Sequence, residues 1–271
     1  MKVGLIGFGR TGRSVATILL ESNKTNLQWI IRQSSQLENR SIPEFLGIDS
    51  DNPALIYRKD DLPPGELLNR HPVDAIIDFS SESGLDYYGD EAAKRKITIV
   101  SAISHYENIK LKKLEELAKH TVVMHSPNIT LGINFIMIAA KILKNIAPHT
   151  DIIISEEHFK AKTEISGTAK ILARELDVPD EDIKAVRAGG ITGVHEILFG
   201  FPHQTVRLKH ETIAPEAFGN GILFAIENLK DKPRGFYRME DIFIPYFKLQ
   251  ERKKRKIPEM HRKPWWQFWK N

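Results

Sequence analysis

Gly7-Phe8-Gly9-Arg10-Thr11-Gly12 follows an apolar run at residues 3–6 and opens a helix-competent stretch at residues 10–22. In a strand-to-helix context the first glycine permits a tight turn and the second lets a pyrophosphate approach the backbone. The third lets helix and strand pack closely, and the free amides of the helix start attract the phosphate charge. The same pattern also occurs in ligand-free turns, so its weight comes from what surrounds it. Short, β-branched and nearly continuous apolar runs recur at 27–31, 73–79, 97–101 and 122–125, with helix-competent stretches at 83–95 and 109–119. Such runs are expected of parallel strands buried on both faces, and their alternation with helices predicts βαβ units in a doubly wound Rossmann sheet over residues 1–128. Pro53, Pro63, Pro64 and Gly65 read as a less regular connector.

After Asn128 the rhythm changes. A helix is expected at 132–146, a strand at 152–156 and a helix at 168–176, followed by two or three strands with period-2 patterning over 185–212. Strands clustered without helices between them predict a second, α+β domain with an open mixed sheet over 129–217. A helix at 221–229 begins a segment, 218–244, expected to return to the first domain, and residues 245–271 form a basic, Trp-rich tail.

Composition limits the function classes. With 271 residues, 41% hydrophobic and 27% charged, the chain has the make-up of a globular protein and carries no apolar run near the length of a membrane span. It has no cysteine, which excludes disulfides, thiolate metal sites and a cysteine nucleophile. The strand-like start leaves no room for a signal peptide, so the expected location is cytoplasmic. The net charge of +4 is a property of the tail: residues 245–271 hold nine Lys or Arg against two Glu, leaving −3 for the rest. No nucleic-acid partner is therefore expected of the body.

At the end of the second predicted strand, Arg32 with Ser34 or Ser35 stands where an acidic residue would bind an NAD ribose. This favours the 2′-phosphate of NADPH, with NADH as the other candidate. A second cluster, residues 156–169, places His158 and Lys162 ahead of Ser166-Gly167-Thr168 at a helix start. Amides and hydroxyls there suit a carboxylate, Lys162 adds charge, and His158 or Lys162 can supply a proton. His195 and His210 read as structural histidines on strands. The histidines are scattered without metal-ligand spacing, so no metal is expected.

The order of these pieces, with Asp78-Phe79-Ser80, Ser126-Pro127-Asn128, Gly132-Ile133-Asn134, the stretch from Arg187 to His195 containing Gly189, Ile191 and Gly193, and Phe236 to Ile242, resembles the dihydrodipicolinate reductases of lysine and diaminopimelate biosynthesis. The resemblance covers residues 1 to about 243. It implies an NAD(P)H-dependent oxidoreductase that transfers hydride to a cyclic carboxylated imine, usually as a homotetramer. It also implies a cofactor site at Gly7, Phe8, Gly9, Arg10, Thr11, Gly12, Arg32, Phe79, Ser80, Ser101 and Ala102, catalysis by His158 and Lys162, and substrate binding by Ser166, Gly167 and Thr168.

The sequence departs from the family pattern in three places. The segment that resembles HHxxKxDAPSGTA has Phe159 for one histidine and Glu164-Ile165 for Asp-Ala-Pro. The family's Gly-Thr-Thr-Gly loop is Ser101-Ala102-Ile103-Ser104, and its His-x-Ala-x-Ser-Arg run is His210-Glu211-Thr212-Ile213-Ala214-Pro215. A paralogue acting on another carboxylated imine, or a non-catalytic dinucleotide-binding protein acting through its tail, are the alternatives these departures leave open. In the tail, residues 252–256 are all basic and Trp265, Trp266 and Trp269 lie among the last seven residues. That combination suits a membrane surface or a contact with a neighbouring subunit.

Overall fold

The computed structural model describes residues 1–34, 37–52 and 54–247; Ser35 and residues 248–271 of the basic, Trp-rich tail lie outside the described residues, and residues 245–247, expected to begin that tail, instead end the last helix. The chain begins with β1 (Lys2–Ile6), α1 (Arg10–Glu21), β2 (Asn26–Arg32), α2 (Ile42–Leu46), β3 (Leu55–Arg58) and α3 (Pro64–Arg70). It continues through β4 (Ala75–Asp78), α4 (Gly84–Lys94), β5 (Thr98–Ser101), α5 (Asn108–Ala118) and β6 (Val122–His125). All of these strands pair in parallel, in the order β3-β2-β1-β4-β5-β6. β4 and β5 are buried along their whole length, with apolar centres at Ile76-Ile77 and Ile99-Val100 and buried polar residues at their ends. Leu67, Leu85 and Leu114 from α3, α4 and α5 cover one face of this sheet, and Val15 and Leu19 from α1 cover the other.

The second half contains α6 (Leu131–Ile146), β7 (Asp151–His158), α7 (Gly167–Glu175), β8 (Lys184–Arg187), β9 (Val194–Phe201) and β10 (Gln204–Glu211). These strands form a separate sheet in the order β10-β9-β7-β8, with β7 and β8 parallel and the other pairs antiparallel. Its inner face, including Ile154, Ile197 and Phe199, packs on Ile133 and Ile136 of α6 and on Leu172 of α7. The chain then returns: α8 (Glu216–Leu229) adds Ile222 and Ala225 to the core beside α1, and β11 (Gly235–Tyr237) extends the parallel sheet next to β6 before α9 (Met239–Phe247). Lys141 of α6 bridges Glu175 of α7 and Glu240 of α9 and so ties the two halves together.

The expected irregular connector proves to contain β3 and α3, and β11 is an additional strand. Both strands are at the sheet edges. β3 is as long as β4 and β5 but buries only Ile56, and β11 has three half-buried residues, so neither carries the fully buried run that marks a central strand.

Candidate active site

The strand order reverses between β1 and β4, and the crevice at their carboxyl ends is where this type of sheet binds ligands. Gly7 leaves β1 with φ +97, a conformation that favours glycine, and its amide donates to Ile31 O at 2.8 Å. A Cβ on Gly7 would lie 2.8 Å from the Phe79 backbone, and one on Gly12 only 2.3 Å from Gly7 O. Around Gly9, by contrast, a Cβ would meet nothing within 4 Å. The turn is thus closed towards the protein and open towards the crevice, and Gly9 caps α1 without a side-chain bond to the helix amides. These features fit the pyrophosphate of a dinucleotide.

A cavity of about 370 Å³ extends from the turn and is lined by Gly7, Phe8, Gly9, Arg32, Gln33, Ser34, Lys59, Phe79 and Ser80. Lys59 was not singled out from the sequence. It comes beside Arg32 because β2 and β3 pair with Arg32 opposite Arg58, and its amide donates to Arg32 O at 2.9 Å. Below the crevice Asp78 is fully buried and accepts bonds from Ser80 N at 2.8 Å, Ser80 Oγ at 2.6 Å and Tyr88 OH at 2.9 Å. Burial outweighs these bonds and pushes its carboxyl up to about 6. Ser101 lies away from the cavity, with its buried hydroxyl bonded to Tyr106 OH at 2.9 Å, and Ala102 lines neither this cavity nor the cleft described next.

The other end of the α1 start, Arg10 and Thr11, faces a cleft of about 480 Å³ between the two sheets. Asn128, His158, Phe159, Thr168, Gly193 and His195 also line it. Asn128, in the loop after β6, donates through Nδ2 to Thr168 Oγ1 at 3.1 Å and so ties the parallel sheet to the start of α7. Ser166 caps α7 by accepting from Ala169 N at 3.1 Å, and its hydroxyl also bonds His195 Nε2 at 2.9 Å. Ser166 is therefore buried as a structural cap and leaves Thr168 to face the cleft. Gly167 lines a neighbouring cavity of about 610 Å³ together with Ser126 and Lys170. Lys162 lines none of these three cavities. Its carbonyl accepts from Arg187 Nε at 2.8 Å, while its ammonium makes no hydrogen bond or ion pair among the described residues.

Three strands bring together side chains that are distant in sequence. The ligating atoms of Glu156, His158 and His195 lie within 4.8 Å of one another. Glu156 is completely buried, with one oxygen bonded to His158 Nδ1 and the other to Arg187 at 2.6 Å. Burial alone would raise its carboxyl, but Arg187 and His158 together hold it below the usual carboxylate range. A divalent cation at this cluster would share Glu156 with the Arg187 guanidinium and be repelled by it, so the arrangement is better suited to holding protons than to holding a metal. Burial, reinforced by His158, lowers His195 to about 4, so His195 is neutral at neutral pH. Two-residue spacing along β7 puts Glu156 and His158 on one face of the strand, a signal the sequence did offer. The approach of Arg187 and His195 depends on strand pairing.

The comparisons with known proteins agree with this architecture. The family profile described as dihydrodipicolinate reductase, N-terminus, matches residues 1–129, and that described as dihydrodipicolinate reductase, C-terminus, matches residues 128–243. A 4-hydroxy-tetrahydrodipicolinate reductase from Caldanaerobacter subterraneus subsp. tengcongensis is 32% identical over 195 residues, which is 64% of this chain and 78% of the relative. One from Thermosipho africanus is 30% identical over 200 residues, 73% of this chain and 89% of the relative. Among solved structures, the dipicolinate-bound dihydrodipicolinate reductase from Paenisporosarcina sp. TG-14 has the same fold, with a TM-score of 0.74 at 18% identity over 89% of this chain and 98% of that one. Two consecutive family matches, a parallel sheet with a glycine turn at its switch point and a mixed second sheet facing it lead to one conclusion: the chain belongs to the dihydrodipicolinate reductase family of NAD(P)H-dependent oxidoreductases.

Proposed function

We propose that the chain is a cytoplasmic reductase that uses NADPH to reduce a cyclic carboxylated imine of the 4-hydroxy-tetrahydrodipicolinate type. The observation that carries this reading is the shared cleft, in which the start of α1, from the glycine turn, faces His158 and Thr168 from the second sheet region. The amides at Gly9 to Gly12 hold the pyrophosphate, with Phe79 and Ser80 forming the opposite wall. Arg32 and Lys59 bind the 2′-phosphate, and Lys59 adds charge at the position where Arg32 already favours NADPH over NADH. Bound in this way, the cofactor supplies a hydride. Thr168 and the α7 amides from Gly167 hold a substrate carboxylate, and Lys162, which stands outside the lining of the cleft with its ammonium uncommitted among the described side chains, swings in to pair with it. His158 supplies the proton that balances the hydride.

The test is to follow nicotinamide absorbance with NADPH and freshly generated 4-hydroxy-tetrahydrodipicolinate. Oxidation is expected, and its absence at high enzyme concentration sinks this substrate. A different carboxylated imine is the second reading, favoured by Phe159, whose apolar ring lines the cleft. Assembly as a homotetramer follows from the family reading. No helix of the described residues is long and apolar enough to cross a membrane, so any membrane role rests on the tail. Removing the tail after Ile257 distinguishes its two readings: loss of sedimentation with anionic vesicles points to a membrane surface, and a loosened oligomer points to a subunit contact.

A further inference from the structure

We infer that Glu156 is a positioning residue that fixes His158 with its proton on Nδ1 and its Nε2 turned to the cleft, and that Arg187 couples this arrangement to the Lys162 loop. The inference rests on the reading of His158 as the proton donor and specifies which nitrogen acts.

The geometry starts with a carboxylate whose two oxygens have different tasks. One is bonded to His158 Nδ1, so in neutral imidazole Nδ1 must be the donor and Nε2 the bare nitrogen. Nε2 lies beside Gly193, where an added Cβ would come within 3.2 Å of it, and both residues line the cleft. A side chain at position 193 would crowd the nitrogen that has to meet substrate. When protonated His158 acts as an acid, the Nε2–H bond breaks, the proton goes to the substrate, and neutral imidazole remains with Nδ1–H still bonded to Glu156. The other Glu156 oxygen accepts from Arg187 at 2.6 Å. The same guanidinium donates to Lys162 O at 2.8 Å and Glu164 O at 2.8 Å. Glu156 and Arg187 therefore set both the histidine and the backbone of the loop before α7. His195 packs edge-on against His158 at 5.4 Å between ring centroids, which restricts rotation of the ring.

The experiment uses full-length protein labelled with ¹⁵N-histidine. Multiple-bond ¹H–¹⁵N correlation, above the pH at which the ring is protonated, reads which nitrogen carries the proton, and His158→Ala identifies the signal. The expected wild-type result is Nδ1–H with bare Nε2. Glu156→Gln should shift the ring towards Nε2–H and lower kcat by about 10- to 100-fold, with KM for NADPH unchanged. A wild-type His158 carrying its proton on Nε2 overturns the inference, and so does a Glu156→Gln protein with tautomer and kcat both unchanged. Should Glu156→Gln fail to fold because Arg187 is left unpaired, the wild-type spectrum still decides. Undiminished kcat in His158→Ala would instead sink His158 as the acid, and with it the catalytic half of the inference, while the tautomer separately tests the geometric half.

Discussion

The glycine turn after β1 and the histidine cluster on β7 and β9 face the same interdomain region but are made differently. The turn is contiguous and built from backbone: its amides, its positive φ at Gly7 and the absence of side chains at Gly9 and Gly12 define it. The cluster is built from side chains on three strands, with Glu156 and His158 on β7, Arg187 on β8 and His195 on β9. The backbone site has no room for an added carbon at Gly7 or Gly12 but is largely indifferent to nearby chemistry. A side-chain site depends on identity, charge and proton position at each member.

The largest effect is expected at Gly12. A valine places its Cβ 2.3 Å from Gly7 O, far inside contact distance, so helix and turn must separate. Stability should fall by about 3 kcal/mol in denaturant unfolding, with NADPH and NADH affinity lost together. Gly12→Val with normal cofactor titration would break the view that backbone spacing makes the site.

Asp78 gives the next effect, because it brings a buried titrating side chain to the backbone site. Its folded carboxyl, raised to about 6 from 3.8, binds a proton more tightly than in the unfolded chain. Stability from this group is therefore fully present below the unfolded value and is lost as pH rises between about 4 and 6. The stability of wild type minus that of Asp78→Asn should accordingly increase by up to about 3 kcal/mol on going from pH 7 to pH 4. A flat difference across that range would show that the surrounding hydroxyls solvate Asp78 as well as water does.

Arg32 should give the smallest change. Arg32→Asp replaces attraction with repulsion near the proposed 2′-phosphate position and should weaken NADPH about tenfold or more, by about 1.4 kcal/mol, with less effect on NADH. Equal loss of both cofactors in fluorescence titrations would remove Arg32 from discrimination. A residual NADPH preference abolished by Lys59→Ala would assign the rest to Lys59.

The two regions also differed in how far they could be read in advance. Residues 7–12 were legible because helix start, turn and strand end are neighbours in the chain. Ser166-Gly167-Thr168 was legible as a helix start for the same reason, yet which of its groups faces the cleft was not. Ser166 spends its hydroxyl on Ala169 N and His195, a partner 29 residues away, which leaves Thr168 on the cleft. Lys162 and Ser101 were recognisable by resemblance, but their side-chain surroundings depend on Arg187 and Tyr106. The strands β3 and β11 were obscured by being edge strands whose residues are mostly half-buried.

Sequence by itself determined the parallel sheet, the glycine turn, the change to a mixed sheet after Asn128 and the family, because apolar periodicity and local backbone chemistry act over a few residues. Tertiary structure alone decided that Lys59 would stand beside Arg32, and that Glu156 would be shared between His158 and Arg187. These contacts depend on strand register and on removal of charges from water, and both are properties of paired strands that no single segment contains.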